Sequence, residues 1–178
     1  MKRLWIGLAV LSLATATWAQ SAETAERLAR FKAVFILNFA EYVTWPAGGS
    51  GDFVIGVLGE SPVTTYLLQA AQKRTVGERT VHVRSVTKTS DSLSTVHILV
   101  VGDKPGVTID ELSARLKNHA VLTVSDEAGF ARRGSCINFI LVDGRLKFEV
   151  NPETVQASGL KMSSHLLRLA TLVDSSVE

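Results

Sequence analysis

From Glu23 to Val43, apolar residues recur at steps of three and four, which is the spacing of one helix face. One apolar stripe consists of Leu28, Phe31, Phe35, Phe39 and Tyr42. A second stripe on the neighbouring face consists of Ala33, Ile36, Leu37, Ala40 and Val43. An apolar surface this wide predicts deep burial, or one face for the core and another for a partner.

Burial is the preferred interpretation of this helix. The alternative makes Ile36, Leu37, Ala40 and Val43 the candidates for a partner or dimer interface. The helix is predicted to end at "TWPAGGSGD", because Pro46 disfavours helical geometry at the residue before it and glycines follow.

Short apolar runs then alternate with amphipathic segments. Strands are predicted at residues 53–59, 79–86, 96–102 and 120–126, and helices at residues 61–73 and 108–119. Ser61 is predicted to cap the first of these helices, and Thr108 with Glu111 has the capping-box pattern at the second. We therefore expect an α/β fold, with a mostly parallel sheet and helices on both faces, in a flavodoxin- or receiver-like three-layer arrangement.

Residues 136–150 have a different pattern, with two alternating strands joined by Asp143-Gly144, a strong signal for a two-residue turn. The sequence thus adds an antiparallel β-hairpin near the C-terminus. In the register of that turn one face is apolar, and the other carries polar residues with Asn138 opposite Glu149. Glu149 is therefore expected on the half-exposed face of a hairpin at a sheet edge.

The segment after the hairpin is interpreted as a structural junction rather than a catalytic cluster. Asn151 is predicted to cap a helix that has Pro152 at its first position. Gly159 ends or bends that helix, and residues 160–173 predict a final amphipathic helix. In this arrangement Lys161 lies close enough to Glu149 for a salt bridge.

The N-terminus has the layout of a secretory signal peptide. Lys2 and Arg3 precede an apolar run, and small residues follow up to Ala19, where cleavage is expected. The apolar run is shorter than the ~20 residues that a membrane span needs. The sequence therefore predicts a signal peptide at residues 1–19 and a single exported domain at residues 20–178.

The charge balance changes when the leader is removed. The whole chain has 19 Lys and Arg against 17 Asp and Glu, and the leader holds the two extra basic residues. A mature chain with zero net charge and no long basic run argues against nucleic acid as a partner. No later segment is apolar enough to span a membrane, so we expect no stable membrane insertion.

Enzymatic signatures are mostly missing, and we assign no catalytic residue. Gly59 lies in a turn after a predicted strand, and Asp103 and Asp126 also follow strands, so these three residues mark a possible ligand edge. The preferred alternative is that they only shape loops. The 4 histidines are scattered without the spacing of metal ligands, so neither a metal nor a cofactor is expected.

Cys136 is the only cysteine, so no internal disulfide can form. A free cysteine is usually buried and inert, and this is the preferred interpretation. The hairpin register instead places Cys136 on the polar face near Arg132 and Arg133, whose charge would favour the thiolate. Cys136 is therefore also a possible redox thiol that joins two chains or senses oxidants.

Three segments together resemble the YfiR-like periplasmic proteins: "KAVFILNFAEYVTWP" (32–46), "GSCINFILVDGRLKFEVN" (134–151) and "SGLKMSSHLLRLA" (158–170). They bracket nearly the whole mature chain, whereas the middle matches only in its strand–helix pattern. The residues that carry the resemblance are Asn38, Phe39, Trp45, Pro46, Phe148, Glu149, Asn151, Gly159 and Lys161.

The resemblance implies a soluble α/β domain in the Gram-negative periplasm that tends to form homodimers and has no catalytic activity. It implies a negative regulator that binds the periplasmic sensor region of an inner-membrane diguanylate cyclase, restrains cyclic di-GMP synthesis and limits biofilm formation. In the best-understood member, a peptidoglycan-associated outer-membrane lipoprotein sequesters the repressor. Members with proposed redox control have several cysteines, so Cys136 leaves at most an intermolecular disulfide here.

Two other functions stay open. Some family members have unassigned partners such as histidine kinases, so the chain is alternatively an accessory to another membrane sensor. A function of a different class is a periplasmic small-ligand-binding protein that uses the edge near Gly59, Asp103 and Asp126. A defined pocket at that edge would favour this alternative.

Overall fold

A computed structural model describes residues 5–46, 51–87, 93 and 95–175, with side chains from Ala22 onward. Within these residues the helices are α1 (Trp5–Tyr42), α2 (Val63–Ala71), α3 (Ile109–Leu116), α4 (Pro152–Ala157) and α5 (Ser164–Leu169). The strands are β1 (Val43–Thr44), β2 (Phe53–Leu58), β3 (Thr75–Val76), β4 (Arg79–Val86), β5 (Ile98–Val101), β6 (Leu122–Ser125), β7 (Ile137–Val142), β8 (Arg145–Val150), β9 (Lys161–Met162) and β10 (Thr171–Leu172).

Eight of the described strands form one large sheet in the order β10-β8-β7-β6-β5-β2-β4-β3, and β1 and β9 form a separate two-stranded sheet. The pairs from β4 through β2, β5 and β6 to β7 are parallel, as is the pair of β10 with β8. The pairs of β7 with β8 and of β3 with β4 are antiparallel. The expected mixed α/β fold with a mostly parallel sheet is therefore confirmed.

The central strand β5 is covered on both sides. Ile98 and Val100 belong to the apolar cluster that includes α1 and α2, whereas Leu99 and Val101 belong to the cluster that includes α3. All four side chains are buried. A parallel strand between two helical coverings needs such a continuous apolar run.

α1 packs on the β7–β8 end of the sheet through aromatic rings. The centroids of the Phe35 and Phe39 rings lie between 5.2 and 6.2 Å from those of Phe139 and Phe148. Rings at these distances attract each other in addition to burying apolar surface. Burial, the preferred interpretation, therefore holds for the side of the helix that faces the sheet.

The hairpin has the register that Asp143-Gly144 predicts, with Asn138 opposite Glu149. Two parts of the prediction are wrong. The hairpin is not at the sheet edge, because β10 extends the sheet beyond β8 by pairing Thr171 with Glu149. Asn138 is fully buried rather than half-exposed.

The C-terminal segment also differs from the prediction. Asn151 caps α4 as expected, since its side chain accepts a hydrogen bond from Thr154 N. The single final helix is wrong, because β9 pairs with β1, α5 is short, and β10 rejoins the sheet. This segment therefore closes the sheet at one end and links it to the end of α1.

Side-chain hydrogen bonds also mark the N-termini of α3 and α2. The capping box of Thr108 and Glu111 at α3 is confirmed. At α2 the N-cap is Pro62 rather than Ser61, although the Ser61 hydroxyl still accepts a hydrogen bond from Val63 N at 3.3 Å.

α1 begins at Trp5, well before the predicted start of the first helix at Glu23. Lys2 and Arg3 of the predicted leader lie outside the described residues. Along the described parts of the chain, no helix combines the length and apolar character needed to cross a membrane. The signal peptide at residues 1–19 stays a prediction.

Candidate functional site

The crevice in which open α/β sheets usually bind ligands is closed by backbone in this protein. The chain leaves β2 toward β4 on one side and returns to β5 on the other, which places the switch in strand order between β2 and β5. At the carboxyl ends of these strands, Glu60 N donates to Asp103 O at 2.9 Å and Asp103 N donates to Glu60 O at 2.7 Å. The two loops are thereby tied across the crevice.

Gly59 and Gly102 allow this close approach of the two loops. A Cβ atom at Gly59 would lie 2.4 Å from Asp103 O, and one at Gly102 would lie 2.2 Å from Glu60 O. Both distances are too short for carbon next to oxygen. Gly59 and Asp103, two residues of the predicted ligand edge, therefore have a clear structural role in the bridge.

Asp126, the third residue of that edge, forms an ion pair with Lys32 of α1. Lys32 is mostly buried, whereas the side chain of Asp126 is 44% exposed. A cavity of about 300 Å3 lies beside the pair, with further walls from Phe139, Leu141 and Leu146. The structure thus joins Asp126 to α1.

The predicted interface residues of α1 do not form a surface. Ile36, Leu37, Ala40 and Val43 are at most 6% exposed and belong to the main apolar cluster. Their assignment as a partner or dimer interface is therefore wrong for the folded chain, because the sheet and α2 already cover this side of the helix.

The outward face of α1 carries other apolar side chains. Phe31 is 52% exposed, Val34 is 40% exposed and Tyr42 is 37% exposed. Exposed large apolar side chains that cluster on one face commonly mark protein contacts. Spacing alone did not separate this face from the buried one, because the two apolar stripes are adjacent on the helix.

Cys136 is fully buried, which contradicts its placement on an exposed polar face. Its backbone N donates to the Thr123 hydroxyl at 2.8 Å, and its sulfur lies 3.9 Å from Ser158 Oγ. Burial raises the pKa of the Cys136 thiol above its ordinary value. The structure therefore favours the inert interpretation over the redox thiol.

The signature residues mostly connect distant parts of the fold. The Asn151 side chain donates to Ala131 O at 2.8 Å and to Ser175 Oγ at 3.0 Å. Arg74, just after α2, donates to Asn38 Oδ1 at 3.2 Å and so ties α2 to α1. Phe39 and Phe148 form part of the aromatic contact described above.

Glu149 and Lys161 do not form the predicted salt bridge. Lys161 pairs with Thr44 in the β1–β9 ladder, and no ion pair joins Lys161 to Glu149 in the described chain. Glu149 lies between Asn138 and Thr171 in the sheet. Both amide atoms of Asn138 are buried without a hydrogen-bond partner among the described residues.

A polar and aromatic cluster at the amino edge of the sheet was not predicted from the sequence. The His97 ring stacks on Phe53 with ring centroids 4.7 Å apart. The backbone O of His97 accepts a hydrogen bond from the Trp45 indole N–H at 3.2 Å. Val54 N donates to His97 Nδ1 at 3.1 Å, and Arg79 Nη2 lies 2.8 Å from His97 Nε2. These residues come from four separate segments, so no local sequence pattern reveals them.

Arg79 anchors this amino-edge cluster to the chain before β2. Its guanidinium donates to Gly51 O at 2.7 Å and to Asp52 O at 2.9 Å. It also lies over the Phe53 ring at 5.6 Å from the centroid. Burial and the neighbouring Arg79 charge lower the pKa of His97 below its ordinary value.

The described residues contain no group of three or more His, Cys, Asp or Glu side chains placed to hold a metal ion. The fold and its closed crevice define a mixed α/β domain in which structural contacts occupy the usual ligand position. The profile of the YfiR/HmsC-like family matches residues 29–171, so the chain belongs to that family. No curated protein matches the chain.

Proposed function

We propose that this protein is a periplasmic, non-enzymatic negative regulator of an inner-membrane diguanylate cyclase. The observation that carries the proposal is the YfiR/HmsC-like match over residues 29–171, because a family with this regulatory role is matched over almost the whole folded domain. In this function the protein binds the periplasmic sensor region of the cyclase and favours its inactive state, which lowers cyclic di-GMP and biofilm formation.

The structure supports regulation through a protein surface more than through a small ligand. The Glu60–Asp103 bridge fills the crevice where a ligand would otherwise bind. The outward face of α1 offers Phe31, Val34 and Tyr42 to solvent. We propose this face as the contact with the cyclase or with a second copy, in place of the buried stripe.

A deletion strain tests the function directly. Loss of the chain is expected to raise cellular cyclic di-GMP severalfold and to increase biofilm, and expression of the exported chain from a plasmid is expected to reverse both. An unchanged cyclic di-GMP level in a strain that expresses the partner cyclase would exclude the cyclase as target and leave another membrane sensor, such as a histidine kinase.

The surface is tested by complementation with matched variants. Phe31→Asp adds a charge to the outward face of α1 and is expected to abolish repression while the protein stays folded and exported. Leu68→Asp changes a side chain of α2 with similar exposure, 47%, and is expected to keep repression. Equal repression by the two variants would show that the outward face of α1 is not the interface.

The proposed partners are tested by direct binding. Pull-down of the exported protein from detergent-solubilised membranes is expected to recover the diguanylate cyclase and, from the outer membrane, a peptidoglycan-associated lipoprotein that sequesters the regulator. Recovery of the lipoprotein but not of the cyclase would contradict direct repression. Size-exclusion chromatography with light scattering tests the proposed homodimer.

A further inference from the structure

The amino-edge cluster places His97 between two hydrogen-bond donors. A backbone N–H, that of Val54, points at Nδ1, and a guanidinium N–H of Arg79 points at Nε2. Neither donor is able to act as an acceptor. A neutral imidazole has one lone pair available and satisfies one of these donors in either tautomer.

A protonated His97 satisfies neither donor. Both ring nitrogens then carry hydrogen, and the new positive charge faces the permanent charge of Arg79 at 2.8 Å. The ring is also half-buried and stacked on Phe53, so water cannot fully solvate the charge. Protonation therefore has to move the ring, the guanidinium or both.

The other charged groups around the cluster do not compensate this charge. Asp52 on the chain before β2 is engaged with His82 of β4 at 3.2 Å, and it contacts Arg79 through its backbone O rather than its carboxylate. The other neighbours are Trp45, which follows β1, and backbone groups of β2 and β6. No carboxylate contacts His97 in the described part of the chain.

We propose that His97 is a proton-operated latch at the amino edge of the sheet. Protonation separates His97 from Val54 and Arg79 and loosens the Trp45 indole from the His97 backbone. Trp45 follows β1, which connects the end of α1 to β9, so the latch acts on the junction of helix and sheet. Acidification then changes this junction while the core stays folded.

Trp45 reports on the latch, because the other tryptophans, Trp5 and Trp18, lie in the predicted leader. The protein is purified after export, and its mass verifies removal of the leader. Its tryptophan emission is then followed from about pH 8 to about pH 4, with far-UV circular dichroism as the measure of folding. We expect a reversible change in emission centred below about 6.5, the ordinary histidine pKa, with unchanged circular dichroism.

Three variants distinguish protonation of His97 from protonation of other groups in the protein. His97→Gln is expected to abolish the emission change, and His82→Asn, which removes a histidine outside the contacts of Trp45, to keep it. Arg79→Gln removes the neighbouring charge and is expected to move the midpoint to higher pH. An unchanged titration in His97→Gln, or a wild-type protein whose emission is flat while folded, would overturn the latch.

A second measurement needs no variant. The Cε1–H proton resonance of His97 in the wild-type protein is expected to titrate with the same midpoint as the Trp45 emission, and different midpoints would contradict the coupling. The latch is a property of the chain alone. Its failure leaves the proposed regulation of a cyclase untouched, and failure of that function leaves the latch untouched.

Discussion

The ring of Phe39 meets the ring of Phe148 edge-on, with centroids 5.2 Å apart. This contact joins the C-terminal end of α1 to the second strand of the hairpin, two segments more than a hundred residues apart in the sequence. Both side chains are buried, and Phe35 and Phe139 complete the group. The contact therefore fixes the longest helix on the sheet.

Removal of the Phe39 ring is expected to be strongly destabilising. Phe39→Ala should lower the free energy of unfolding by about 3–5 kcal/mol, because it leaves a cavity among the remaining rings. Phe31→Ala, on the exposed face of the same helix, should change it by less than about 0.5 kcal/mol. Urea unfolding followed by circular dichroism measures both, and similar losses would contradict the packing described for α1.

The bridge at the carboxyl edge gives a second comparison. Gly59→Ala and Gly77→Ala both place a side chain at a positive φ, +83° and +60° respectively, but only the first one meets backbone, at Asp103 O. Gly77→Ala should lose about 1 kcal/mol from the strained φ. Gly59→Ala should lose about 1–3 kcal/mol more, because the two loops have to move apart.

Thermal unfolding of the two glycine variants, with the wild type as reference, measures this difference. Equal losses would show that the loops separate freely and that the Glu60–Asp103 hydrogen bonds contribute little to stability.

The two buried asparagines should respond in opposite directions to the same substitution. Neither amide atom of Asn138 has a partner among the residues that the structure describes, so Asn138→Val should increase the free energy of unfolding by about 1 kcal/mol. Asn151→Val removes the α4 cap and leaves Ala131 O without its donor, so it should cost about 2–4 kcal/mol. A loss at position 138 as large as at 151 would reveal a partner for Asn138.

The burial of Cys136 predicts low reactivity. At pH 8 an aromatic disulfide reagent should label the native thiol at least about a hundredfold more slowly than the urea-unfolded thiol, because access requires opening of the structure. No disulfide-linked dimer should form under mild oxidation. Rapid labelling of the native protein would show that this side of the hairpin is open to solvent.

The raised pKa of Cys136 also predicts a pH dependence. The native state holds the thiol proton at pH values where the unfolded chain has released it. The stability from this group is therefore complete below the ordinary thiol pKa of about 8.5 and decreases as the pH rises above it. Cys136→Ala should flatten that alkaline decrease in urea unfolding, and an equal decrease in the variant would assign it to other groups.

The strongest local patterns in the sequence predicted the elements that the structure contains. The alternation at residues 79–86 coincides with β4, and Asp143-Gly144 set the hairpin register, because both signals depend only on neighbouring residues. β9 and β10 were missed, because two-residue strands have no period.

The candidate site was harder to predict because its contacts are non-local. Cys136 and Asn138 are both fully buried, and the Cys136 sulfur meets Ser158 at the end of α4, so their burial could not be read from the hairpin itself. In α1, both stripes are apolar, and only the position of α2 and the sheet decides which one is exposed. The family signature was recognisable because it lies in segments with distinctive local composition.

The bridge between Glu60 and Asp103 makes two surface turns dependent on each other. Here an insertion in one turn would break the pairing unless the other changed with it. Across relatives of this chain, the lengths of the segments around 59–61 and 102–105 should therefore covary. Such covariation would show how far through the family these two paired loops close the crevice.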